Sequence, residues 1–261
     1  AKVAIAIGVL LLGVAVFVYA RYKMDINSGW KRIRSGSRIA HTACGPVEYA
    51  LMGSGMPVLV IHGAGGGFDQ GLEFAEDLVQ KNFQVIAVSR FGYLGTPLPD
   101  DASAAAQADA HLCLMNALGI DRAAIVGISA GGPSAMQFAI RHPERTAALF
   151  LLVPAAYRPK TSSPEAIGVK ASETAKGTSA WISFFLNTAL KFDLLLWLAI
   201  HVMPDALTRS ILGTPPQLVR NVEPRERKRV QQLLRHILPV SARRQGLLND
   251  SRVVPTLPRY D

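Results

Sequence analysis

Ser129 lies in Gly127-Ile128-Ser129-Ala130-Gly131, after an apolar run at 123–126 and before a helical stretch at 132–141 that His142-Pro143 stops. A serine on a tight strand-to-helix turn is held in a strained backbone conformation with its hydroxyl presented. Such a hydroxyl can attack an acyl carbon once a neighbouring base takes its proton. Gly127 and Gly131 keep side chains out of the way of the packed helix. The helix N-terminus favours the negative charge that develops. An ordinary glycine-rich turn would show similar letters, but the strand before and the helix after favour the nucleophile.

A second constellation is His62-Gly63-Ala64-Gly65-Gly66-Gly67, directly after Val58-Leu59-Val60-Ile61. A glycine-rich turn there leaves backbone N–H groups free to receive the oxyanion of a tetrahedral intermediate. The expected oxyanion donors are Ala64 and Ala130, carried by turns built from His62, Gly63 and Gly65 and from Gly127 and Gly131. A dinucleotide loop would need a third glycine where Phe68 stands and an acid where Ser89 and Arg90 end the next strand. His62 is read as a hydrogen-bonding partner of its own turn rather than as the base. Asp69 and Gln70 are placed at the pocket entrance, and Met136 and Phe138 in the core.

The elements that position these residues alternate. Strands are expected at 46–52, 58–61, 84–88, 123–126 and 147–153, with helices at 70–81, 102–118 and 132–141. Short, continuously apolar strands between helices imply a mostly parallel sheet covered on both faces. After Pro154 the rhythm breaks. Residues 157–176 read as a loop, 181–202 as an apolar cap helix and 222–237 as a charged helix, so 156–250 is expected to be a helical cap. Asn187, Lys191 and Asp193 argue against a second membrane span at 181–202.

The order of the His-Gly turn, Ser89-Arg90-Phe91-Gly92-Tyr93-Leu94-Gly95 and then the serine turn resembles the α/β-hydrolase superfamily over about residues 40–155. The middle stretch is similar to the Asp-x-Arg-Gly-x-Gly turn of many members, with Ser89 in place of the Asp and Phe91 between Arg and Gly. The resemblance implies a Ser–acid–His triad in that chain order. His142, His201 and His236 come after Ser129, but one stands in a helix-stop turn and two in cap helices. The acid and the base, together with the last core strands, are therefore expected beyond residue 261. The chain is read as a fragment that turns over little by itself.

Residues 3–20 carry no charge, and a helix of that length is about 27 Å long, close to the hydrocarbon thickness of a bilayer. Arg21, Lys23, Lys31, Arg32, Arg34 and Arg38 come next. The positive-inside rule then places the residues C-terminal to this helix in the cytoplasm; a cleaved signal leading to a secreted or periplasmic domain is the alternative. The net charge of +9 is not arranged as a basic stripe with interleaved aromatics, so nucleic acid is not an expected partner. Arg225, Arg227, Lys228 and Arg229 are read as a solvated helix face. Cys44 and Cys113 are expected to be reduced thiols, and neither a metal site nor a cofactor is expected.

The expected organisation is a transmembrane anchor at 1–24, a basic juxtamembrane linker at 25–38, an α/β core at 39–155, the cap at 156–250 and a return to the core at 251–261. The expected function is a serine hydrolase acting on an ester or related acyl bond of an apolar small molecule. The alternative is a non-catalytic hydrolase-fold binding or scaffold protein at the membrane.

Overall fold

A computed structural model of the chain describes residues 1–157 and 190–260. The loop expected at 157–176 and the first part of the apolar cap helix lie almost wholly outside the described residues. Two compact units are present: residues 1–35 with 192–239, and residues 36–191 with 240–261.

The larger unit is an α/β layered structure around a six-stranded sheet of order β1-β2-β4-β3-β5-β6. Its strands are β1 (Arg38–Thr42), β2 (Gly45–Met52), β3 (Met56–Ile61), β4 (Phe83–Val88), β5 (Ala123–Ile128) and β6 (Thr146–Leu152). β2 pairs antiparallel with both β1 and β4, whereas β4, β3, β5 and β6 are mutually parallel. The alternation of side chains along a strand sorts the core into two faces. Leu59, Ile61, Ile86, Val88 and Ile125 meet Leu114, Met115, Ala135 and Phe138 on one face. Val58, Val60, Val85, Ala87 and Ala124 meet Phe68 and Ala75 on the other. Because β3 and β4 are buried on both faces, their sequences are continuously apolar rather than alternating.

In the smaller unit, α1 (Lys2–Arg34) is one uninterrupted helix. The stretch expected to be a juxtamembrane linker therefore continues the helix as far as Arg34. Asn27, Ser28 and Gly29 are poor helix formers, and it is packing that holds this part: Ile26, Gly29 and Ile33 are buried. In the larger unit, α2 (Phe68–Phe74), α3 (Glu76–Val79), α4 (Ala104–Ala117) and α5 (Gly132–Arg141) cover the sheet. Back in the smaller unit, α6 (Asp193–Val202), α7 (Pro204–Ile211), α8 (Pro216–Asn221) and α9 (Pro224–His236) form a helical subdomain. Finally, α10 (Arg244–Val253) belongs to the larger unit.

The structure corrects two expectations. The cap does not run to residue 250: the chain rejoins the larger unit at Val240, because Arg243 and Asp250 are held by buried partners there. Cys44 and Cys113 are not free thiols but form a disulfide. The turn between β1 and β2 lies beside α4, with the two Cα atoms 5.9 Å apart, within the range a disulfide spans.

Candidate active site

β5 ends at Ile128 and a short 3-10 turn, Ser129–Gly131, leads into α5. Ser129 takes φ of 48°, a left-handed conformation that is strained for a residue with a Cβ. Its carbonyl accepts from the Ala155 N–H at 2.9 Å, which fixes the turn from the far side of β6. Any Cβ on Gly127 would collide with Ala135 of α5, and one on Gly131 with the carbonyls of Ile61 and His62. The two glycines thus let the helix and the end of β3 close on the serine.

The turn after β3 lies against it. A Cβ built on Gly63 would be 3.1 Å from Ser129 Cβ. Within this turn the Gly63 N–H donates to Gln70 Oε1 at 3.2 Å and the Gly65 N–H to Tyr93 Oη at 3.3 Å. Ala64 is exposed between them, and its N–H has no partner among the described residues. Ala130 follows Ser129 at the start of the turn into α5.

His62 is fully buried and spends both ring nitrogens locally. With its proton on Nδ1 it donates to Gly63 O at 2.6 Å, while Nε2 accepts the Arg90 N–H at 3.0 Å. Burial, reinforced by the Arg90 charge, holds its pKa well below the usual histidine value, so the ring is neutral. The other histidines with assigned bonds point elsewhere: His111 to Ser134, His142 to Asp109 and His201 to Trp197. Burial pushes His111 down to about 3.

Two buried ion pairs grip the turn after β3. Arg90 makes a two-pronged bond to Asp250, at 2.8 and 2.6 Å, and Tyr93 donates to the same carboxylate at 2.6 Å. Arg90 also reaches Gly63 O at 3.4 Å. Burial opposes the Arg90 charge, but the adjacent Asp250 carboxylate more than offsets this and raises its pKa. Burial raises that of the Tyr93 phenol, which stays protonated. Arg243, with none of its surface exposed, donates to Gly66 O at 2.6 Å and to both oxygens of Asp69, at 3.2 and 2.7 Å.

Asp69 and Gln70, expected at a pocket entrance, are therefore buried supports of the turn. Glu48 is a third support. Its carboxylate accepts from Ser89 Oγ at 2.7 Å and from the Gly95 N–H at 3.0 Å, tying β2 to the turn after β4. Glu48, Tyr93, Arg243 and Asp250 are not singled out by the sequence. The one available signal is Arg90, a charge at the end of a buried strand that needs an acid, but its partner is 160 residues away.

A family model described as the alpha/beta hydrolase fold matches residues 56–232. The uncharacterized hydrolase YcgS of Bacillus subtilis is 34% identical over 107 residues, covering 41% of this chain and 37% of that protein. The 2-hydroxy-6-oxo-6-phenylhexa-2,4-dienoate hydrolase of Comamonas testosteroni is 34% identical over 113 residues, 41% of this chain and 40% of its own. The chain thus matches about two-fifths of the length of these curated relatives. Among solved structures, an alpha/beta hydrolase fold protein from Nakamurella multipartita superposes with a TM-score of 0.60 at 27% identity, over 85% of this chain and 75% of that one.

Proposed function

The chain belongs to the α/β-hydrolase family, and on that premise we propose that it is a serine hydrolase in which Ser129 attacks an acyl carbonyl. The observation that carries this reading is the positive φ of Ser129 at a strand-to-helix turn, with the exposed Ala64 N–H on the adjoining turn. Attack by Oγ on the carbonyl carbon forms a tetrahedral intermediate whose oxyanion accepts from the N–H groups of Ala64 and Ala130. The N-terminus of α5 adds its positive end. A histidine takes the serine proton and passes it to the leaving group, an acid orients that histidine, and water then releases the acyl group. His62 is not this base, since both its nitrogens are engaged in its own turn.

The substrate we propose is an apolar acyl compound. Relatives are named for 2-hydroxy-6-oxo-dienoate and 2-hydroxymuconate semialdehyde substrates, so such oxo-dienoates belong in the test beside simple esters. A fluorophosphonate probe is expected to label Ser129 in protein that carries the partner histidine and acid, and to leave Ser129→Ala unlabelled. Labelling that persists in Ser129→Ala would assign the nucleophile elsewhere, and folded protein with those partners that takes no label would favour the non-catalytic binding module.

We further propose that α1 anchors the protein in a membrane, supported by a fully exposed apolar window in its first half. Three of the six basic residues after that window are engaged by local packing. Arg32 donates to His236 O and Leu238 O, Arg34 lies 4.8 Å over the Trp30 ring and Arg21 pairs with Asp25. They therefore speak weakly for a cytoplasmic catalytic unit. The Cys44–Cys113 bridge favours the oxidising side of the membrane instead.

A further inference from the structure

Among the described residues, the helical subdomain has an apolar face that its own packing leaves exposed. α6 reads Asp-Leu-Leu-Leu-Trp-Leu-Ala-Ile-His-Val, with polar residues only at position 193 and at His201. A water-facing helix carries a polar face opposite its buried stripe, and α6 has none. Trp197 and Ile200 are buried, while Leu195 is 51% exposed and Val202 is 74% exposed. The exposed surface continues around a sharp bend into Met203, 54% exposed, and Ile211. α6 and α7 meet at 109°, and together they are long and apolar enough to form a re-entrant element.

What covers this face is indicated by what α6 packs on. Its buried stripe meets the second half of α1: Trp197, Ile200 and Leu238 cluster with Ile26, Val18, Tyr22 and Trp30. The Trp197 indole lies edge-on to Tyr22, with centroids 5.7 Å apart, and donates to Asp25 at 2.8 Å. Val18 is inside the apolar run of α1, and Tyr22 is two residues beyond its end, about 3 Å along the helix axis. Whatever touches both residues lies where α1 leaves the hydrocarbon. Tyr22 and Trp197 are also the residue types that favour that boundary.

We propose that the α6–α7 elbow is a membrane-embedded surface, with Leu195, Val202 and Met203 inserted into the same leaflet that α1 enters. The occupant of the apolar face is lipid acyl chain. The exposed basic residues Arg225, Arg227 and Lys228 of α9, in the same unit, suit anionic headgroups. This inference rests on the reading of α1 as an anchor.

The test uses the full chain in phosphatidylcholine vesicles, with and without nitroxide-bearing acyl chains. Single substitutions Leu195→Cys, Val202→Cys, Val9→Cys and Gln231→Cys each carry an environment-sensitive fluorophore, the native cysteines being bridged. Fluorophores at 195 and 202 are expected to shift to the blue and to lose most of their emission to nitroxides placed high on the acyl chain. The fluorophore at 9 should be quenched by deeper nitroxides, and the one at 231 should be quenched only by aqueous iodide. If position 9 is quenched but 195 and 202 respond to iodide as 231 does, the elbow proposal is wrong and the anchor stands. If position 9 also escapes lipid quenching, both readings fall. Energy transfer between labelled copies at 195 without lipid quenching would assign the face to self-association and overturn the proposal.

Discussion

Arg243→Gln removes the guanidinium that bonds both oxygens of the buried Asp69 carboxylate beside the glycine-rich turn. Removing one partner of a buried pair costs about 3–5 kcal/mol, and here the Gly66 carbonyl loses its donor as well. The expected result is a large fall in the denaturation midpoint together with slower fluorophosphonate labelling of Ser129. Arg243→Lys keeps the charge but cannot reach both Asp69 oxygens and Gly66 O at once, so it should recover only part of each loss. The buried histidines make stability depend on pH. The folded pKa of His62 is well below the usual value and that of His111 is about 3. The unfolded chain therefore takes up protons from about pH 6.5 downward while the folded chain does not. Stability is therefore unaffected above that pH and falls below it, toward pH 3 for His111, at up to ~1.4 kcal/mol per pH unit for each ring. Urea midpoints measured from pH 7 to pH 4 should show this slope, and His111→Gln should flatten it.

The Ser129 turn and the glycine-rich turn after β3 are legible in the sequence because each is local: glycines two residues either side of Ser129, and a glycine run directly after a buried strand. β3, β4 and β5 are legible for the same reason, their period being set by burial on both faces. Their supports are not. Glu48 acts across 41 residues, and Asp250 and Arg243 act across far more. No spacing rule relates a charge to a partner that the fold alone brings near. β1 also escapes the sequence, as an exposed edge strand with little apolar pattern. The disulfide belongs to the same class of non-local facts: it joins the β1–β2 turn to α4 across a separation of 69 residues. A loop of that size gives a crosslink worth roughly 4 kcal/mol in the chain-entropy account. Cys113→Ala, or reductant added to the wild type, should lower the chemical denaturation midpoint accordingly, leaving the folded spectrum unchanged.

For the whole molecule, the larger unit resembles other hydrolase-fold proteins, while the smaller joins an apolar N-terminal helix to the helices after residue 192. If the larger unit faces an oxidising compartment, Cys44 and Cys113 in intact cells should resist a thiol-alkylating reagent until reductant is added. Immediate alkylation without reductant would instead favour a reducing compartment for the larger unit. The two arginine clamps also have a consequence in time. Arg243 is made 177 residues after Gly66, a delay on the order of ten seconds on a ribosome. Until then the nascent turn has neither Arg243 nor Asp250, and the charges of Asp69 and Arg90 favour water over burial. The turn beside Ser129 is thus locked only when the late segment arrives, so a half-made chain carries that turn without either of its buried ion pairs.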